Sequence, residues 1–255
     1  FLSGGLDSSL ISFYAKKENA DLESYSISVN EKSFDEIKNA KKMSEFLNIK
    51  LHDTKLDKEK FSLNFDNILR LLDEPIGAPT YIPMYFLSEL ASKDVKSVLS
   101  GDGADEIFGG YDNFNYLKLF RYINLFKMNK IFSKTKNLIN LFPISKNNLS
   151  LDFKLRRFSQ GMEVEEKFQN TFFLSSLSLQ DYEELFNEKF DFEEILNEVI
   201  EFNNEYKDVN FLDKNYLYFV NFYIPDLISS RADKAGMLNS LEIRSPFLNS
   251  KILEL

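Results

Sequence analysis

Three stretches of this 255-residue chain combine residue types that could act on a phosphorylated substrate. Ser3-Gly4-Gly5-Leu6-Asp7-Ser8-Ser9 follows the apolar pair Phe1-Leu2 and opens into a helical pattern. A glycine turn between a buried strand end and a helix start presents backbone N–H groups and the positive end of a helix dipole, which suits an anion. Gly4 and Gly5 permit close backbone approach, Ser3 and Ser8 add hydroxyl donors, and Asp7 offers a hard oxygen for magnesium. The lysine of a Walker A loop is missing, so kinase-like and GTPase-like loops are excluded. An ordinary strand-to-helix turn capped by Asp7 or Ser8 fits the same residues.

The second stretch, Ser100-Gly101-Asp102-Gly103-Ala104-Asp105-Glu106-Ile107-Phe108-Gly109-Gly110-Tyr111, sets four glycines and three carboxylates in twelve residues. A solvated acidic loop explains the carboxylates but not the glycines or the apolar Ile107-Phe108 pair. The third runs from Arg231-Ala232-Asp233-Lys234 through Glu242-Ile243-Arg244-Ser245-Pro246-Phe247-Leu248-Asn249. Alone it reads as a charged helix surface that ends before Pro246.

Elements that would position these stretches alternate between strand and helix, the pattern of a parallel sheet covered by helices. Phe1-Leu2 reads as the end of a buried strand, and Ser8 to Glu18 as a helix with Leu10, Ile11 and Tyr14 on its packed face. Ser24 to Val29 alternates with period two, and Asp35 to Leu47 carries Ile37, Ala40, Met43 and Leu47 at helical spacing. A short strand over 49–51, a helix over 61–72 that stops before Asp73-Glu74-Pro75, a helix over 83–92 and a strand over 95–99 follow. From 113 to about 210 the chain becomes rich in Phe, Leu, Asn and Lys with few glycines, a helical subdomain with its internal loop expected over 138–151. The reading is therefore α/β: a parallel twisted sheet with helices on both faces over 1–112, a helical subdomain over 113–215, and a helical block over 216–255 that returns to the site.

Composition narrows the function. With 44% hydrophobic residues the chain can bury a core, and the absence of Cys excludes disulfides, cysteine zinc sites and a thiol nucleophile in these residues. It also favours a cytoplasmic setting. Thirty-one Lys+Arg against 40 Asp+Glu give a net charge of −9, which argues against a broad nucleic-acid or anionic-membrane footprint. No run approaches the ~20 apolar residues of a membrane helix. The opening Phe1-Leu2 lacks an initiating Met, and both ends read as cut from a longer protein. The single His, His52, has no nearby motif to partner it and reads as structural. The 26 Phe and 12 Tyr read as core packing rather than a base-stacking platform.

The motif Ser-Gly-Gly-x-Asp-Ser resembles the pyrophosphate loop of the ATP-pyrophosphatase group, which implies cleavage of ATP between its α and β phosphates. Ser-Gly-Asp-Gly-Ala-Asp-Glu-x-Phe-Gly-Gly-Tyr resembles the second signature of the asparagine synthetase family, and residues 231–249 resemble its third block. The likeness is tight over 1–30, 73–112 and 216–253 and loose between. It is to the C-terminal, synthetase half of the glutamine-dependent enzymes, and it implies an adenine nucleotide alpha-hydrolase-like fold.

That resemblance implies ATP and Mg2+ as cofactors, with Leu2, Ser3, Gly4, Gly5, Asp7, Ser8, Val29, Ser100 and Gly101 around the nucleotide. Asp7 and Asp105 would ligate magnesium, and Asp102, Glu106 and Lys234 would be catalytic, Lys234 at the family's lysine position. A carboxylate, aspartate above all, would attack the α-phosphate, and ammonia from a glutaminase domain or subunit would displace AMP. A homodimer is compatible with it. Asp73-Glu74-Pro75 through Pro83-Met84-Tyr85 resembles the family's segment near the substrate pocket, which implies that it faces the acceptor. The chain departs from many relatives at Gly77-Ala78-Pro79-Thr80-Tyr81, apolar where they carry small hydroxyl residues, at Asp102, where some have Glu, and at Asn249, which replaces an Asp. Three readings stay open: asparagine formation, the same adenylation on another acceptor (β-lactam or lasso-peptide cyclisation, or amidation in polysaccharide or secondary metabolism), and a non-catalytic nucleotide-binding homologue.

Overall fold

The computed structural model describes residues 1–74, 77–111, 118–119, 121–123, 145, 150–162, 164–175, 177–189 and 191–254. The chain divides into two compact units, one of residues 1–110 with 216–255 and the other of residues 111–215.

The first unit is mixed α/β. Helix α1 (Leu6–Glu18) leaves the first glycine turn, and β1 (Glu23–Val29), α2 (Ile37–Leu47), β2 (Lys50–Leu56), α3 (Lys58–Leu71), α4 (Tyr81–Ala91) and β3 (Ser97–Leu99) follow. Strand β2 extends well past the predicted 49–51, and His52 therefore lies within it. β1 and β2 pair in parallel with Glu23 opposite Lys50 and Val29 opposite Leu56. β3 pairs in parallel with a C-terminal strand, β4 (Glu242–Arg244). Phe1 and Leu2 bridge the two pairs: the Phe1 amine donates to the Leu99 carbonyl at 2.6 Å and the Leu2 N–H to the Tyr25 carbonyl at 2.9 Å.

Period two distributes the side chains of these strands to opposite faces. Leu2, with Ile49 and Leu51, packs against Ala40, Met43 and Leu47 of α2. Phe1, Tyr25 and Ile27 face the other way, onto Leu87 and Ala91 of α4 and onto Leu241. Ile68 of α3 joins Ile82 and Phe86 of α4 in an adjoining cluster that also takes Ala235. Leu2, Ile68 and Phe86 are 2% exposed or less, each worth roughly 1.5–3 kcal/mol of burial.

The expected packed face of α1 is corrected. Ser9 and Ser12 are its buried residues, while Leu6, Leu10 and Tyr14 are 81%, 41% and 58% exposed. The helix issues from a turn in which Ser8 faces the Ser3 hydroxyl at 2.9 Å, and this contact fixes its rotation. Residues three and four apart share a face, so Ser12 follows Ser9 inward, Leu6, Leu10 and Tyr14 turn out, and Ile11 stays half-buried.

In the second unit the described segments are helical. They are α6 (Leu151–Met162), α7 (Gln169–Leu174), α8 (Leu179–Phe186), α9 (Phe192–Ile195) and α10 (Asn197–Glu205), with α5 (Ala104–Phe108) preceding them in the first unit. Ile123, Met162 and Phe173 form a core with Phe158 and Phe211. Ser178 and Asp181 close a capping box on α8, and Asp191 accepts from the Glu193 and Glu194 N–H groups to start α9. The loop expected over 138–151 lies outside the described residues apart from 145, 150 and 151.

Helix α11 (Phe211–Tyr218) runs into a π-helix over Phe219–Ser229 that contains Pro225, then α12 (Ser230–Met237), β4 and a short α13 (Ser250–Leu253). Asn249 accepts from the Lys251 N–H at 3.0 Å and caps α13. Asn and Asp cap equally well, so Asn249 leaves this end of the block intact.

Candidate functional site

The first glycine turn is wired before any ligand arrives. The Ser8 hydroxyl accepts from the Ser3 N–H at 3.2 Å and meets the Ser3 hydroxyl, which itself accepts from the Gly5 N–H at 3.1 Å. Gly4 has φ +82, and a Cβ there would stand 2.3 Å from the Asn39 carbonyl carbon. Only glycine satisfies both the left-handed backbone and the approach of α2. Asp7 lies in the first turn of α1 with its carboxylate at the positive end of the helix.

The second turn follows β3 directly, and the two turns meet. A Cβ on Gly101 would lie 2.9 Å from the Ser8 nitrogen and 3.2 Å from the Asp7 backbone, so the second chain passes against the first with no side chain between. The Ser100 N–H donates to the Arg244 carbonyl at 2.8 Å, continuing the β3–β4 pairing into the turn. Asp105 sits in the first turn of α5, where burial, and then the charge of Asp7, holds its carboxyl above the ordinary range. A carboxyl raised by burial and by a neighbouring carboxylate is one whose ionised form a divalent cation would favour. Among the described residues, no group of three or more His, Asp or Glu side chains could hold a metal, so remaining ligands would be phosphate oxygens and water.

Asp102 is held on both oxygens. Ser100 Oγ donates to Oδ2 at 2.8 Å and Arg231 donates to Oδ1 at 2.8 Å. The other guanidinium nitrogen of Arg231 donates to Thr80 Oγ1 at 3.0 Å. Lys234, three residues on, donates to Asp73 Oδ1 at 2.8 Å and also to Glu74. Those bonds raise the Lys234 pKa above its usual value and lower that of Asp73. One face of α12 thus bonds Asp73, Glu74 and Thr80, and Asn239 adds a bond to the Tyr85 carbonyl at 3.2 Å. Tyr81, next to Thr80, has its hydroxyl buried with no hydrogen-bond partner among the described residues, and burial first of all pushes it up to about 12.

The residues singled out from sequence fall into three positions. Ser3, Gly4, Gly5, Asp7 and Ser8 share the first turn, and Gly101 lies on them, with Ser100, Asp102 and Asp105 in the same second turn. Leu2 is 2% exposed and contributes its backbone and core packing beneath the turn, while Val29 ends β1. Glu106 is also 2% exposed, within α5. Lys234 is bonded to the 73–74 carboxylates, and the cation on the second turn is Arg231. Sequence reasoning missed Arg231 and Thr80 as site residues. The available signal was the spacing of Arg231 and Lys234, which puts two cations on one helical face opposite Asp73 and Glu74.

Comparison with known proteins places the chain in a family. Asparagine synthase, as a family, matches residues 1–255. Asparagine synthetase [glutamine-hydrolyzing] 1 of Bacillus subtilis is 28% identical over the whole chain, which covers 39% of that protein. A putative asparagine synthetase [glutamine-hydrolyzing] of Mycobacterium tuberculosis is 29% identical over 99% of the chain, covering 37% of its own length. Amidase chry2 of Gibberella zeae is 28% identical over 130 residues, 45% of the chain and 19% of the amidase. The chain spans well under half the length of these relatives. No helix among the described residues is long and apolar enough to cross a membrane. With every residue from 1 to 255 matched and both glycine turns in contact, the chain belongs to the asparagine synthase family.

Proposed function

We propose that this chain is the synthetase part of an ATP-dependent amide-forming ligase that adenylates a carboxylate, aspartate first among candidates, and transfers the acyl group to ammonia derived from glutamine. The observation that carries this reading is the contact of the two glycine turns at Gly101, which gathers Asp7, Ser8, Asp102 and Asp105 at one end of the parallel strands. Part of the reading is an adenine nucleotide alpha-hydrolase-like fold, in which β2, β1, Phe1-Leu2, β3 and β4 act as one twisted parallel sheet with the nucleotide at its carboxyl edge.

A carboxylate is a poor electrophile and its oxygen a poor leaving group, so amide formation needs an activated carbonyl, which adenylation provides. Attack of the acceptor carboxylate on the α-phosphate forms a new P–O bond, breaks the α–β bridge and releases pyrophosphate. Ammonia then forms the C–N bond and AMP departs with the electron pair of the C–O bond. The protein's part is to hold the reactants and offset developing charge. The N–H groups of Gly4 and Gly5 and the hydroxyls of Ser3 and Ser8 bind the β and γ phosphates. Leu2, Val29, Ser100 and Gly101 flank the adenosine. Asp7 and Asp105 would hold magnesium, which, when bound, neutralises the pyrophosphate. Lys234, which here bonds Asp73 and Glu74, would have to release them to bring its cation to the leaving group. Asp102 faces the reacting carboxyl, and Glu106 is buried within α5.

A second reading changes the acceptor only. The 77–81 segment is apolar around Thr80, and one relative of the chain is named an amidase rather than a synthetase. The test is pyrophosphate release by the full-length protein with ATP, magnesium and ammonium while the carboxylate is varied. Release with aspartate, with asparagine and AMP accumulating, supports the first reading; release only with another carboxylate supports the second. No release with any acceptor while ATP still binds would leave the non-catalytic nucleotide-binding homologue, and no ATP binding would overturn all three readings. Asp7→Asn should cut turnover ~100-fold or more, the scale of a lost electrostatic contact to the transition state.

A further inference from the structure

We propose that Arg231 is a positioning residue that couples the acceptor segment to Asp102, through the continuous bonds Thr80–Arg231–Asp102–Ser100. The inference rests on the adenylation reading above and deepens it by naming how the fit of an acceptor reaches the second glycine turn.

Each oxygen of the Asp102 carboxylate has its own donor, Arg231 at 2.8 Å on Oδ1 and Ser100 Oγ at 2.8 Å on Oδ2. The carboxylate cannot rotate without losing a charge-assisted bond, and these are the strong ones. The Arg231 and Asp102 side chains are 13% and 19% exposed, so solvent and salt screen their attraction little. Thr80 supplies the independent observation. It immediately precedes α4 with its own backbone already helical (φ −69, ψ −8), so its hydroxyl makes no cap bond to the helix. Its oxygen accepts from Arg231 at 3.0 Å.

The fork geometry matters. A planar guanidinium places two N–H vectors on two different acceptors at once, whereas an ammonium on a flexible stem is a point charge. Arg231 also lies two residues beyond the π-helix over Phe219–Ser229, a helix type that concentrates at functional sites, so its facing is set by an unusual backbone. An acceptor that seats correctly against 77–81 keeps Thr80 in place, and with it Arg231 and the Asp102 carboxylate. One that displaces the segment turns the carboxylate away from the reacting carboxyl, and a misplacement of about 1 Å can cost 10²-fold in rate.

The experiment is a double-mutant cycle on the full-length protein, reading pyrophosphate release and, separately, ATP binding by equilibrium titration. Thr80→Val should raise the acceptor KM and lower kcat about 10-fold while leaving the ATP Kd unchanged, and Thr80→Ser should restore both. Arg231→Met should lower kcat about 100-fold. Arg231→Lys should recover part of that loss, and in its background Thr80→Val should have no further effect, because the shared bond is already gone. Effects of Thr80→Val and Arg231→Lys that simply multiply overturn the inference, as does wild-type kcat in Arg231→Met. If Arg231→Met does not fold, the Thr80→Val and Arg231→Lys pair decides alone. A wild type that releases no pyrophosphate with any acceptor overturns the adenylation reading, and the inference falls with it; a wild type that turns over isolates failure of the inference.

Discussion

The two glycine turns serve one site but are held in opposite ways. The first is closed on itself: its hydroxyls bond to each other and to its own N–H groups, and Gly4 is fixed by the backbone of α2. The second is tied outward. Ser100 hangs on Arg244, Asp102 on Arg231, Gly103 rests on the Leu248 side chain, and Gly109 lies under the Tyr216 hydroxyl. The difference teaches that the first turn depends on local sequence, whereas the second depends on the C-terminal block being in place.

Substitutions can break that contrast in graded steps. Gly4→Ala should have the largest effect, because its φ of +82 and a Cβ 2.3 Å from backbone leave nothing free to move. A loss of about 3 kcal/mol or more in urea unfolding is expected, combining left-handed strain with overpacking. Gly103→Ala also has a positive φ, +93, but its neighbour is a leucine side chain that can swing, so a loss of about 1–3 kcal/mol should follow. Ser8→Ala removes the hydroxyl pair and should cost about 1 kcal/mol, with ATP binding weakened roughly 10-fold. Gly77→Ala, with nothing within 4 Å of the added Cβ, should change stability by no more than about 0.5 kcal/mol. Equal losses at Gly4 and Gly103 would erase the distinction between a turn set by backbone and one set by side chains.

A pH series sharpens it further. Asp105 has its carboxyl raised by burial and by Asp7, so the folded protein holds that proton more tightly than the unfolded chain. Stability from this group is fully present below its unfolded pKa and is lost as pH rises from there through the raised folded pKa. Magnesium with ATP should reverse that loss, because it requires the ionised pair. The Tm gain from magnesium–ATP should therefore grow with pH through the raised pKa of Asp105. In Asp7→Asn that gain should shrink, and the dependence should shift to lower pH.

Much of the α/β unit was legible because its strands alternate with period two and its helices carry spaced apolar residues. Tyr25 and Ile27 face one way, and Leu2 the other, as alternation requires. The facing of α1 was not legible, since Leu10, Ile11 and Tyr14 look like a core stripe until the Ser3–Ser8 contact sets the rotation. Both glycine turns could be read from residue types alone. The links made by Arg231 and Thr80 could not, because they join residues 80, 102 and 231, whose proximity no local pattern encodes.

Strand β3 is complete only when residues 97–99 meet residues 242–244, with the whole of the second unit between them in sequence. Closing so long a loop costs only about 1.5 kcal/mol more than the β1–β2 closure, yet contacts of this kind form late. During synthesis the first turn can form early, while β3 exposes an unpaired edge until nearly the last residues described leave the ribosome. A nascent chain stalled within the second unit would carry the first turn without a completed second one, and that exposed edge is where chaperone dependence and misassembly should concentrate.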